Sequence, residues 1–320
     1  MDTDSVAREY AAAREGAAVV ELPDRAVLAV TGPLRQKFLH DILSNEIVSL
    51  KPGAGCRAAL MDVKGHQLAF MRVLVGADAV LLELPADRLA DVEAALVHYR
   101  VAAPVRFEKR PVAVLGLLGP QARSVLARAG CELPELAPEA HAECTIGGVP
   151  VRIARAGDLP REGFVLHAPP EAAAPVRRAL AEAGARPLGG AALDALRVEE
   201  GRAWYGTDVT NENLLHETGL LGEYHSPAKG CYIGQEVIAR LEARGGNVNK
   251  LLRGLKLTAP ATAGDSVRAE GAEAGRVTTA AVSPRLGPIA MAYLHRSRAE
   301  PGTVVEVGGS PATVMALPFP

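Results

Sequence analysis

A strand, a Gly-Pro pair and a helix follow one another twice in this chain. Residues Ala26 to Thr31 form an apolar run, Gly32-Pro33 comes next, and Leu34, Phe38, Leu39 and Ile42 then recur at helical spacing. Val114 to Leu118 lead in the same way into Gly119-Pro120 and a helix carrying Val125 and Leu126. Pro33 suits a first helical position, where the N–H it lacks would be unpaired in any case. The period is too long for a solenoid. It implies two similar lobes, each a sheet with helices packed on it. No Gly-x-Gly-x-x-Gly or Walker loop is present, which argues against a doubly wound nucleotide-binding fold.

Between the two copies, Arg57 to Leu60, Gln67 to Val75 and Ala79 to Leu84 read as strands, and Ala86 to Arg100 as a helix. Cys144 to Ala156 and Gly163 to His167 add two more strands, followed by helices from Pro170 to Ala183 and from Gly190 to Glu200. Strands in groups followed by helices define an α+β pattern. After Arg253 the pattern changes. Leu255 to Leu257, Ser266 to Ala269, Gly275 to Val282, Ile289 to Tyr293, Val304 to Val307 and Ala312 to Ala316 are short strands separated by Gly and Pro turns, the signature of a small β-barrel. The expected organisation is two lobes over residues 1–250 and a barrel over 251–320.

A net charge of −2 gives no general attraction to nucleic acid or anionic membranes, and no apolar run reaches the ~20 residues of a membrane helix. Met1-Asp2-Thr3-Asp4 is acidic, unlike the start of a signal peptide. Cys56, Cys131, Cys144 and Cys231 are scattered and form no Cys-x-x-Cys, so no metal or cluster site is written locally. Cys131 and Cys144 would pair only if the fold happened to bring them together. A reducing cytoplasm is the simpler reading.

The densest chemical signal is Lys229-Gly230-Cys231-Tyr232-Ile233-Gly234-Gln235-Glu236. Val237, Ile238 and Leu241 make the apolar face of a helix that Gly245-Gly246 stops. Cys231 therefore sits just ahead of a helix N-terminus, where the dipole and Lys229 favour a thiolate. The plainer reading is a packed cysteine beside a surface pair of Glu236 and Arg240. Trp204, Tyr205, Tyr224 and Tyr232 cluster in a chain that is only 4% aromatic, and such faces hold flat rings when a carboxylate reads the ring edge. Glu199, in Leu196-Arg197-Val198-Glu199-Glu200-Gly201, lies just upstream. Taken alone it reads as a solvated charge at a helix end. Arg240, Arg244, Lys250 and Arg253 form a short basic strip suited to carboxylates, to phosphate or simply to solvent. His216, Glu217, Glu223 and His225 match no metal-ligand spacing, and no Gly-x-Ser-x-Gly elbow marks a serine hydrolase.

Lys-Gly-Cys-Tyr-x-Gly-Gln-Glu, followed by Arg240 and then Arg244-Gly245, resembles the signature of the YgfZ-type folate-binding proteins, relatives of the glycine-cleavage T-protein (aminomethyltransferase). The resemblance implies a two-lobed folate-binding region with a C-terminal barrel, and tetrahydrofolate as cofactor. Carried over by motif position, Glu199 would pair with the pterin ring, with Trp204, Tyr205 and Tyr232 nearby and Arg240 and Arg244 on the glutamyl tail. Tyr205-Gly206-x-Asp208 also resembles the T-protein pattern. Cys231 and Lys229 would be the working thiol and its activator, within the motif completed by Gly230, Gly234, Gln235 and Glu236. The implied role is support of iron–sulfur enzymes or their assembly factors, including radical enzymes that modify tRNA, with no direct nucleic-acid contact. The alternative is folate-dependent aminomethyl transfer or demethylation. Against that alternative, Leu82-Glu83-Leu84-Pro85-Ala86-Asp87-Arg88 lacks the Asn-Ala pattern that precedes the T-protein catalytic aspartate.

Overall fold

The computed structural model describes residues 3–161 and 163–320; Met1 and Asp2 of the acidic start lie outside the described residues. The repeated motif builds two lobes. In the first, strands run in the spatial order Gly55–Met61, Gln67–Val75, Ala79–Pro85, Arg25–Thr31, Arg106–Arg110, all antiparallel. Helices Arg35–Ile42 and Leu89–Arg100 cover one face, burying Leu39, Ile42, Val92 and Leu96 against Leu28, Val30 and Leu82.

The second lobe orders its strands Arg186–Pro187, Ala18–Glu21, Ala113–Leu118, Gly163–Ala168, Val149–Ala156, His141–Ile146. Helices Ala122–Arg128 and Ala173–Glu182 pack Val125, Leu126, Val176 and Leu180 on Leu117, Ile153 and Leu166. Both turns of the repeat need glycine. Gly32 and Gly119 take φ of 107° and 108°, and a Cβ would lie 2.1 Å from the Pro104 carbonyl oxygen or 2.5 Å from that of Gly16.

Several expectations are corrected in detail. Pro33 precedes the helix rather than opening it, because Leu34 occupies the N-cap of Arg35–Ile42. The single strand expected from Cys144 to Ala156 is a hairpin that turns at Gly147-Gly148. Cys131 and Cys144 are joined by a disulfide, with Cα atoms 5.5 Å apart. Cys131 follows helix Ala122–Arg128 and Cys144 lies on His141–Ile146, and both sit against the same apolar core. With this pair bonded, the cysteines no longer point to a reducing compartment. Among the described residues no helix is long and apolar enough to cross a membrane.

The barrel is closed. Its strands follow the order Lys250–Leu257, Gly287–His295, Ala272–Ser283, Ser266–Ala269, Val304–Val307, Ser310–Met315, and the last pairs back onto the first. Helix Gly190–Glu199 lies across strand Ala272–Ser283 and ties the barrel to the lobes.

Candidate functional site

Charge that reads as solvent-facing in the sequence is instead buried where the two lobes meet. Arg72, on strand Gln67–Val75, is fully enclosed and bonds Glu83 at 2.7 Å, Glu139 at 3.0 Å and also Asp158. Arg25 approaches Glu83 and Asp158 at 3.6 and 3.5 Å, while Arg57 pairs with Glu139 and Glu223. Burial works to raise the Glu83 and Asp158 carboxyls, but Arg72 and its neighbours outweigh it and hold both below the ordinary carboxylate range. Sequence reasoning missed Arg25, Arg57, Arg72, Glu83 and Asp158. The available signal was Arg72 itself, a charge set inside the apolar run Phe70-Met71-Arg72-Val73-Leu74.

The aromatic cluster lines the same seam. Phe70 stacks on Tyr224 with centroids 4.1 Å apart, and the Tyr205 hydroxyl donates to the Gln67 carbonyl at 2.9 Å. Trp204 is clamped between two guanidiniums, Arg25 at 5.4 Å and Arg197 at 4.9 Å. The space left among these side chains is only about 10 Å³, too little for more than a single water. Trp204 and Tyr205 thus have their contacts made by the chain itself. Tyr232 lies elsewhere, beside Cys231.

Glu199 is neither solvated nor at the seam. It ends helix Gly190–Glu199 in a buried position. Its Oε1 accepts from Tyr10 at 2.8 Å and from Ser283, while Oε2 is met by Tyr10 at 3.0 Å, Arg14 at 3.2 Å and Arg285 at 3.4 Å. Above it opens a cleft of about 580 Å³ bordered by Glu200, Arg14, Arg161, Arg202, Arg285 and Phe319. The arginines come from four separate segments, so no run in the sequence announces them. The expected strip is not among them. Arg240 and Arg244 are exposed on or just after helix Gln235–Ala243, and neither borders this cleft.

Cys231 occupies a different groove. It is exposed, in an opening of about 640 Å³ with His40, Asp41, Val48, Tyr232 and Ile233, and shares no bordering residue with the Glu199 cleft. Lys229 is not among the residues that border it. Its buried ammonium donates to the carbonyls of His40 and Leu43 at the end of helix Arg35–Ile42 and lies 4.6 Å from the Tyr232 ring centre. Burial pulls the Lys229 amine down to about 8. Its charge serves the helix terminus, a favourable place for a cation.

The rest of the motif is architectural. Gly234 caps helix Gln235–Ala243 at φ 83°, where a Cβ would meet the Asp62 carbonyl oxygen at 2.8 Å and the Met61 Cβ at 3.0 Å. Gln235 and Glu236 open the helix, with the acid in its first turn where the dipole favours it. Gly230 lies open, with nothing near its Cβ position. Gly234→Ala is expected to cost about 1–3 kcal/mol from backbone strain alone and to lower the thermal midpoint. An unchanged midpoint would show that this close approach relaxes freely.

Two sheet-and-helix lobes that meet at a charged seam, a closed barrel and a carboxylate-floored cleft define a three-part α+β protein. Residues 2–222 match the GCVT N-terminal domain and residues 250–319 the glycine cleavage T-protein C-terminal barrel domain. The chain belongs to the glycine-cleavage T-protein family, which works with tetrahydrofolate. It is 31% identical to the aminomethyltransferase of Streptomyces coelicolor and 32% identical to that of Streptomyces avermitilis, in each case across 97% of this chain and 88% of the relative. The glycine cleavage system aminomethyltransferase T from Bartonella henselae superposes with a TM-score of 0.89 at 25% identity, covering 98% of this chain and 89% of that one. Asp87, in the segment that lacks the Asn-Ala pattern, is exposed and lies 3.4 Å from Arg88.

Proposed function

We propose that this chain binds tetrahydrofolate in the Glu199 cleft and handles a one-carbon unit there. Of the finer readings, the names of the relatives back aminomethyl transfer better than an accessory role. The observation that carries the proposal is the donor set on Glu199. Tyr10 and Ser283 fix the carboxylate, whereas Arg14 and Arg285 hold Oε2 by longer contacts from partly exposed positions. A pterin edge offers paired N–H donors much as a guanidinium does, so it fits the place of Arg285 without unfixing Glu199. Arg161 and Arg202, at the rim, suit the carboxylates of a glutamyl tail. When bound, tetrahydrofolate supplies the nitrogen atoms that accept the one-carbon unit.

A second reading has its own support. Cys231 is an exposed thiol in an open groove, within the segment that resembles the YgfZ signature, while among the described residues the seam carboxylates Glu83, Glu139 and Asp158 are all paired with arginine. Those features favour an accessory protein for iron–sulfur enzymes, with the thiol as its working group.

Calorimetric titration tests the shared part. Tetrahydrofolate should bind the parent protein and Cys231→Ser alike and bind Glu199→Gln about tenfold more weakly or worse, as loss of a charge-assisted bond implies. No binding by the parent would overturn the proposal. Tetrahydrofolate-dependent turnover with glycine-cleavage components, insensitive to Cys231→Ser, would select the transferase. Absence of turnover, together with a Cys231→Ser variant that fails to restore iron–sulfur enzyme activity in a deletion strain, would select the accessory role.

A further inference from the structure

A hairpin tip of the barrel reaches over the Glu199 cleft. Strands Ala272–Ser283 and Gly287–His295 pair as far as Ser283 and Gly287, which leaves Pro284, Arg285 and Leu286 as the turn. The backbone N–H groups of Arg285 and Leu286 donate to the Ser283 hydroxyl oxygen at 3.0 and 2.8 Å, and that hydroxyl donates its own proton to Glu199 Oε1. Leu286 packs into the apolar cluster that holds Ile289 and Phe319. The backbone at Arg285 is held fast, and its side chain is the part free to move.

The partners of Glu199 differ in how firmly they are placed. Tyr10 and Ser283 are buried and do not border the cleft. Arg14 borders it, but its Nη1 is also bonded to the Tyr10 hydroxyl at 3.2 Å, one helical turn away. Arg285 makes the longest contact, Nη2 to Oε2 at 3.4 Å, from a side chain that is 39% exposed and borders the cleft. Its Nη1 is bonded elsewhere, to the Pro320 carbonyl at 2.9 Å. Pro320 is kept close by the Phe319 N–H, which donates to the Glu199 carbonyl at 2.8 Å. Glu199 borders an opening of about 580 Å³ and yet its side chain is only 2% exposed.

We infer that Arg285 is a movable cover on this cleft, an internal competitor that occupies the place of the ligand in the free protein. The inference rests on the reading of the cleft as a pterin site and adds the control of that site. A guanidinium offers a carboxylate two parallel N–H groups, as the 2-amino ring edge of a pterin does, so the two exclude one another at Oε2. The side chain turns aside about its own torsions, keeping its Nη1 bond to Pro320 as the pivot. Such turns of exposed side chains take nanoseconds or less, so the cover lowers affinity by the fraction of time it is closed and leaves the rate of entry little changed.

The test is calorimetric titration of the full chain with 6-methyltetrahydropterin, which carries the ring but no glutamyl tail and so removes any pull of the tail on arginine. Arg285→Ala should bind it about fivefold more tightly than the parent, the worth of one partly exposed ion pair. Arg285→Gln should do the same and serves if the alanine variant does not fold. Guanidinium chloride at a non-denaturing concentration should weaken binding to Arg285→Ala competitively, because the free ion refills the vacated place, and should affect the parent far less. Sodium chloride at equal ionic strength controls for screening. Variants that bind no more tightly than a binding-competent parent, or that ignore guanidinium, would overturn the cover and leave the pterin site standing. Binding by the variants alone would support it. Binding by neither parent nor variants would sink the pterin reading, and the cover with it.

Discussion

Arg72→Met should lower the unfolding free energy by about 3–5 kcal/mol at pH 7, the usual cost of removing one member from a fully buried ionic group. Methionine matches the length of the stem but leaves Glu83, Glu139 and Asp158 facing one another across the lobe junction with Arg25, Arg57 and His167 as their remaining partners. The pH dependence follows from the depressed carboxyls. A folded-state pKa below the unfolded value, roughly 4.3 for glutamate and 3.9 for aspartate, contributes stability present above those values and lost as pH falls through the lower folded ones. In Arg72→Met that contribution shrinks, so the gap between parent and variant should be widest near neutrality and narrow on acidification below about pH 5. Urea unfolding followed by circular dichroism at neutral and mildly acidic pH measures this. A variant within about 1 kcal/mol of the parent at pH 7 would mean that water already reaches the seam.

The second large effect is expected at Asp208. Its carboxylate is almost wholly buried, takes Arg197 on one oxygen and the hydroxyls of Thr278 and Thr279 on the other, both at 2.7 Å, and also accepts the Trp204 backbone N–H at 3.0 Å. Arg197 is itself only 1% exposed. Asp208→Ala strands that guanidinium between helix and barrel, at a cost of about 3–5 kcal/mol. Asp208→Asn keeps an acceptor but loses the charge and should cost about 1–3 kcal/mol, which keeps the comparison measurable if the alanine variant does not fold. The order parent, asparagine, alanine in thermal midpoint is the expected result. An alanine variant as stable as the asparagine one would indicate that Arg197 finds another partner, with Asp194, already 3.0 Å away, the first candidate.

These two residues show how far the chain could be read in advance. Arg197 and Asp208 belong to motifs visible in the sequence, where neither has a role of its own, and their position makes them the joint between helix Gly190–Glu199 and the barrel. Periodicity exposed the duplicated lobes and the barrel because both depend on local apolar spacing and turn residues. It could not expose the seam, where three arginines and their carboxylates come from strands and loops far apart in the chain. A charge in a strand reads as solvent-facing until its partner is known. Glu199 illustrates the same limit, since Tyr10, Arg14, Ser283 and Arg285 converge on it from both ends of the chain. The Cys131–Cys144 link was equally invisible, because spacing says nothing about which loop returns to which strand.

Trp204 is the only tryptophan in the chain, and it touches both lobes and the helix that carries the barrel. The guanidinium of Arg25 in the first lobe lies 5.4 Å from the indole, that of Arg197, which also bonds Thr279 of the barrel, lies 4.9 Å from it, and the indole N–H reaches the Asp158 carbonyl of the second lobe at 3.1 Å. Parting any two of these units changes the charge or polarity around a single indole. The protein therefore carries an intrinsic fluorescent gauge of its own assembly, one whose emission registers separation at the junction without any label.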